Sequence, residues 1–172
     1  EQDWPEADKG YAEQVSLLDD YVGSTLALLD ELGLLERTLV LVTSDNGPTG
    51  TRGKPSLRRF ESSGGLKGMK GMLFEGGIRV PLIAYWPGRI SAGKHNTALS
   101  AAWDLKATYA ELAGVESADL SEGISLVGEL LGQEPRVPAD RTMVWKVYDR
   151  IAVRAGSWKW VRHPRERGNP DF

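Results

Sequence analysis

Apolar residues recur at steps of three and four across residues 11–32, where Tyr11, Val15, Leu18, Val22, Leu26, Leu29 and Leu32 form one stripe. Glu13, Gln14, Ser16, Asp20, Ser24 and Asp30 fill the other side, so the stretch reads as a long amphipathic helix. Gly33 follows as a left-handed cap, and Leu34 is placed to pack back on the last turn. Thr38-Leu39-Val40-Leu41-Val42-Thr43 then reads as a short strand that is apolar on both faces. That is the pattern of a central strand in a parallel sheet covered by helices. A helix, a tight turn and a doubly buried strand point to an α/β fold.

The strand stops at Ser44-Asp45-Asn46-Gly47-Pro48, and the chain up to about Gly77 is rich in Gly, Ser, Lys and Arg. Loops longer than about 12–15 residues are usually functional or disordered, so this one is more than a connector. Residues 80–86 form the next strand, with Pro81 near its start, and Pro87-Gly88 turns the chain. A second helix is expected over residues 104–113, capped by Asp104, with Leu105, Thr108, Tyr109 and Leu112 as its buried stripe. Residues 116–140 read as loop, with a helical turn at 126–131. Strands are expected at 142–147, 150–154 and 158–162, the last two joined by a hairpin turn at Ala155-Gly156-Ser157. The division that follows is an α/β part over residues 1–135 and a small antiparallel β unit over 136–172.

Composition removes several classes of function. The formal net charge is −3, so no basic field draws the chain to nucleic acid. Cysteine is absent, which excludes disulfides, thiolate metal sites and thiol catalysis within these 172 residues. No apolar run approaches the roughly 18 residues of a membrane span. The opening Glu-Gln-Asp-Trp-Pro is not a signal peptide.

Asp45 and Asn46 leave the carboxyl end of a strand, where ligand sites of open α/β sheets collect. Both side chains end in oxygen, the donor that Ca²⁺ and Mg²⁺ prefer. The competing reading is a plain turn, since Asp, Asn, Gly and Pro are common turn residues. Lys70 lies in Gly68-Met69-Lys70-Gly71, ahead of Phe74-Glu75-Gly76-Gly77. Such a lysine can donate to the oxygens of a sulfate or phosphate, or can simply be solvated, as the neighbouring Lys67 illustrates. His95 and His163 are the only histidines and read as surface residues. Arg162, Arg165 and Arg167 form a solvated basic tail diluted by Glu166. Trp145, Trp158 and Trp160 read as core packing, the alternative being an aromatic platform for a sugar ring. Arg52, Lys54, Arg58 and Arg59 either meet an anionic polymer or form a solvated loop.

The order of these signals carries a resemblance. Thr43-Ser44-Asp45-Asn46-Gly47, then Gly68-Met69-Lys70-Gly71, then Phe74-Glu75-Gly76-Gly77-Ile78-Arg79-Val80-Pro81, then Tyr85-Trp86-Pro87-Gly88, resembles the second half of a sulfatase catalytic domain of the alkaline-phosphatase superfamily. Leu18-Asp19-Asp20-Tyr21-Val22-Gly23 upstream and Trp103-Asp104-Leu105, Gly123-Ile124-Ser125-Leu126 and Ala152 to Lys159 downstream extend the likeness over residues 11–162.

That resemblance implies an alkaline-phosphatase-like α/β sandwich, here partial, with a small carboxy-terminal antiparallel sheet. It implies a sulfuric ester hydrolase acting on a sulfated small molecule or carbohydrate. It implies Ca²⁺ (or Mg²⁺) held by Asp45 and Asn46, with Lys70 binding the sulfate group and stabilising charge on the leaving oxygen. The family's nucleophile is a formylglycine made from the Cys or Ser of a Cys/Ser-x-Pro/Ala-x-Arg motif. No serine here sits in that motif, and Ser56-Leu57-Arg58-Arg59 lacks the third-position Pro or Ala. The chain is therefore expected to be a carboxy-terminal fragment, inactive alone, whose parent is periplasmic or secreted as the family mostly is. The alternatives are a phosphoester or phosphonate hydrolase of the same superfamily and a non-catalytic relative. Asn46, where two-metal phosphatases usually carry His, favours the sulfatase type.

Overall fold

The computed structural model of the chain describes residues 3–50, 57–115 and 123–162. Helix α1 spans Glu6–Glu31, beginning earlier than the apolar stripe suggests. Pro5 precedes its first turn, and Glu6 and Asp8 place negative charge at its positive end. Asp8 is buried and takes a 2.6 Å hydrogen bond from Arg59 Nε. Trp4 and Tyr11 close around Phe60, with ring centroids 5.3 and 5.0 Å away. Arg59 thus anchors the start of α1, which argues against its serving as a free contact for a polymer. Arg52, Lys54 and the Arg58 side chain lie outside the described residues.

The stripe of α1 is only partly covered. Tyr11, Val22, Leu26 and Leu29 are half-buried, whereas Val15, Leu18 and Leu32 remain exposed. Gly33 (φ 66°) ends the helix, and Leu34 N donates back to Leu29 O as a helix-ending motif requires. A 3₁₀ turn over Leu35–Arg37 leads into strand β1, Val40–Thr43.

The expectation of a parallel sheet is corrected here. β1 pairs antiparallel with β2 (Leu82–Tyr85) in the register Val40↔Tyr85 to Thr43↔Leu82. Apolar residues on both faces of a strand report covering on both sides, and they do not encode the direction of its neighbour. Pro81 lacks an N–H and sits just outside β2, but its carbonyl accepts from Thr43 Oγ1 at 2.7 Å and prolongs the register. Trp86 Nε1 donates to Glu36 O at 2.8 Å, pinning the far end. Between β1 and β2 lie two single-turn helices, α2 (Leu57–Phe60) and α3 (Glu75–Ile78).

Helix α4 spans Asp104–Leu112 and α5 spans Val127–Leu131. Of the expected stripe of α4, Thr108 is buried and Leu105 and Leu112 are half-buried, but Tyr109 is half exposed, and Asp104 and Ala107 are buried instead. Asp104 does not cap its own helix. It is fully buried and accepts from Ala101 N at 2.8 Å and Ile124 N at 2.9 Å. Arg141 completes the set with two parallel 2.7 Å bonds to its carboxylate and a third, at 2.9 Å, to Leu99 O. Thr108 Oγ1 donates to Asp104 O and accepts from Leu126 N, so α4 and α5 share one polar seam.

Strands β3 (Thr142–Val147), β4 (Arg150–Ala155) and β5 (Trp158–Arg162) form the antiparallel sheet expected at this end, in the order β3-β4-β5. One face carries the buried Met143 and Ala152 toward the body. The opposite face carries Val144, Trp158 and Trp160. Trp158 is 84% exposed and Trp160 57%, so neither is the core residue the sequence suggested. Alternation along β5 puts both on the outer face. Trp145, on the inner face, packs against Trp103 with ring centroids 6.0 Å apart. Among the described residues no helix is long and apolar enough to cross a membrane.

Candidate active site

The long loop between β1 and β2 is tied into a knot by its glycines. Gly47 N donates to Gly77 O at 2.9 Å, and Lys70 N donates to Pro48 O at 2.8 Å. Gly76 N donates to Lys67 O at 2.7 Å. These three bonds join the segments around Asp45, Lys70 and Glu75, so the three separated motifs occupy one place. The packing leaves no room for side chains. A Cβ on Gly47 would fall on Gly76 O, one on Gly76 on Gly68 O, and one on Gly77 on the Met69 and Met72 carbonyls. The glycines are thus required for close backbone approach. Gly76→Ala would put its methyl 2.8 Å from both the Leu66 and Lys67 carbonyls. It is expected to cost about 1–3 kcal/mol, the scale of overpacking. Chemical denaturation of the full-length protein carrying this substitution would measure that, and an unchanged midpoint would show the knot to be yielding.

Asp45 and Asn46 leave the end of β1 on this knot. Asn46 Nδ2 donates to Gly47 O at 3.0 Å, and among the described residues nothing donates to its Oδ1. Ser44 Oγ donates to Asn46 O at 2.8 Å and stiffens the turn. Asp45 is exposed, and among the described residues its carboxylate has no hydrogen-bond or ion-pair partner. A carboxylate and an amide oxygen on consecutive residues are donors suited to a hard cation. Among the described residues no cluster of three or more His, Cys, Asp or Glu offers a complete site. Lys70 is exposed, between Gly68 (φ 94°) and Gly71 (φ 86°).

The knot is held from outside by the carboxy-terminal sheet. Arg150 on β4 donates to Gly71 O at 2.7 Å. Glu75, at the start of α3, accepts from Lys159 Nζ at 2.6 Å and from Arg154 at 3.0 Å. Lys159 also lies 5.3 Å above the Trp145 ring. Composition alone did not single out these residues, but a signal was present. Arg154 and Lys159 stand directly opposite each other across β4 and β5. Like charges so placed repel unless an anion sits between them. His95 is exposed in the loop after β2. His163, Arg165 and Arg167 lie outside the described residues.

The family model named Sulfatase matches residues 2–115. Human (Homo sapiens) arylsulfatase A is 36% identical over 155 residues, which are 87% of this chain and 29% of that protein. The N-acetylgalactosamine-6-sulfatase of Canis lupus familiaris is 36% identical over 156 residues, 87% of this chain and 28% of its own length. Among solved structures, Ps i-CgsB in complex with k-i-k-neocarrahexaose superposes with a TM-score of 0.79 at 26% identity, covering 94% of this chain and 35% of that one. The PsFucS1 sulfatase from Pseudoalteromonas sp. superposes with a TM-score of 0.62 at 30% identity, over 86% and 33%. The chain therefore spans about a third or less of these relatives. Its fold is the corresponding part of their alkaline-phosphatase-like architecture, and the chain belongs to the sulfatase family.

Proposed function

We propose that this chain is the part of a sulfuric ester hydrolase that supplies two cation ligands and one sulfate-binding lysine. The observation that carries the reading is the glycine knot, which joins the turn bearing Asp45 and Asn46 to the loop bearing Lys70 through the Lys70 N–H to Pro48 O bond. Asp45 and the Asn46 Oδ1 would hold Ca²⁺, or Mg²⁺. With one negative charge between them they leave the ion an excess of positive charge. When bound, the cation neutralises charge on the oxygens of the transferred group. Lys70 donates N–H bonds to the sulfate oxygens and stabilises the negative charge that develops on the leaving oxygen.

The nucleophile lies on a segment outside these 172 residues, since they contain no cysteine and no serine in the motif described above. Formylglycine is the group the family uses there. The proposed substrate class is a sulfated carbohydrate. In support, one neighbour holds k-i-k-neocarrahexaose and another D-glucosamine-2-N,6-O-disulfate.

Turnover of 4-nitrophenyl sulfate against 4-nitrophenyl phosphate by the full-length protein tests the reaction class. Preference for the sulfate ester is expected, and preference for the phosphate ester would replace this reading with phosphoester hydrolysis. The cation site has a readout independent of turnover. Added Ca²⁺ should raise the melting temperature of the full-length protein, because a ligand that binds only the native state stabilises it. Asp45→Ala should remove most of that rise. An equal rise in the variant would move the site elsewhere.

A further inference from the structure

Lys70 sits on a loop held by few bonds of its own, chiefly Lys70 N to Pro48 O at 2.8 Å. Gly68 and Gly71 flank it at φ 94° and 86°, conformations that residues with a Cβ rarely adopt. Beyond the Lys70 N–H bond to Pro48 O, the other end of the chain also grips this segment. Arg150 grips the Gly71 carbonyl at 2.7 Å. Arg154 and Lys159 grip Glu75 at 3.0 and 2.6 Å, one on each carboxylate oxygen. Glu75 opens α3, whose Gly76 lies beneath the Gly68 carbonyl and whose Gly77 lies beneath the Met69 carbonyl, just before Lys70. A shift of the Glu75 carboxylate therefore reaches Lys70 through backbone in direct contact. The clamp is also shielded. The Lys159 side chain is 13% exposed and Glu75 26%, so solvent screens this pair less than an ordinary surface ion pair.

We propose that Glu75 is a positioning residue for Lys70, and that the carboxy-terminal sheet, through Arg154 and Lys159, sets where that lysine meets the sulfate group. The inference rests on Lys70 being the sulfate-binding group. Glu75→Gln keeps the side-chain shape but removes the charge between two opposed cations, so the clamp relaxes while the glycines stay in place.

A double-mutant cycle in the full-length protein tests this, with kcat, KM and melting temperature measured on 4-nitrophenyl sulfate. Glu75→Gln is expected to lower kcat about tenfold to a hundredfold, the scale on which a misplacement of about 1 Å weakens a positioned group. Glu75→Asp should recover part of the loss. In a Lys70→Ala background the same Glu75→Gln change should alter kcat by less than about twofold, because residues acting as one unit are not additive. An equal loss in both backgrounds would overturn the proposal, since a merely structural role multiplies through. Should Glu75→Gln fail to fold, Lys159→Met enters the same cycle with the same two outcomes. If Lys70→Ala itself leaves kcat unchanged, the assignment of Lys70 as sulfate-binding falls first, and the positioning role falls with it.

Discussion

Lys70→Ala in the full-length protein is expected to lower kcat for a sulfate ester about 10²–10³-fold, the usual cost of removing one fixed donor from a site where charge develops. The backbone around Lys70 should survive the change. Its N–H bond to Pro48 O is made by main chain alone and does not use the lysine side chain. The ammonium is exposed, so its removal leaves no buried partner unsatisfied, and melting temperature should stay close to that of the parent. Loss of turnover without loss of stability is the signature of a group that acts on substrate. Lys70→Arg should recover little, because a planar fork does not replace a compact point charge held by a tight loop. A variant that keeps full kcat would show that another cation does this work and would withdraw Lys70 from the site.

The largest stability effect is expected at Arg141. Its guanidinium meets Asp104 through two 2.7 Å bonds, and the carboxylate is fully buried. Arg141→Ala strands that carboxylate with only the Ala101 and Ile124 N–H groups, and breaking a buried pair from one side costs about 3–5 kcal/mol. Chemical denaturation of the full-length protein would measure the loss, and a cost below about 1 kcal/mol, typical of a surface pair, would show that water reaches the site. The effect carries a pH signature. Burial opposes ionisation of Asp104, but the Arg141 hydrogen bond, the Ile124 and Ala101 N–H groups and the guanidinium charge outweigh it and hold the carboxyl below its ordinary 3.8. A carboxyl lowered on folding stabilises in full above its unfolded pKa and loses that contribution as pH falls through its folded pKa. The gap between parent and Arg141→Ala should therefore be widest well above pH 3.8 and should narrow as pH drops below it. A gap independent of pH would mean that packing of the arginine stem, and not the ion pair, is what the substitution removes.

The elements of this chain are written locally. The period of three and four in α1, the glycine that ends it, and the alternating strands β3 to β5 all follow from side-chain spacing and turn chemistry, and they fall close to where the sequence puts them. The order of the motifs around Asp45, Lys70 and Glu75 also identifies the family, because residues that must meet in one backbone knot are constrained in type even when far apart in sequence. What the sequence could not show was decided by packing. Whether β1 runs parallel or antiparallel to its neighbour depends on how the long loop returns, and hydrophobic pattern does not record that. Asp104 looked like a helix cap because a cap is a local event. Its real partner, Arg141, is distant in sequence and is brought to it by the fold. The clamp on Glu75 is of the same kind: Arg154, Lys159 and Glu75 are ordinary surface charges in one dimension, and only the strand register and the seating of the carboxy-terminal sheet on the glycine knot turn them into one partly buried contact.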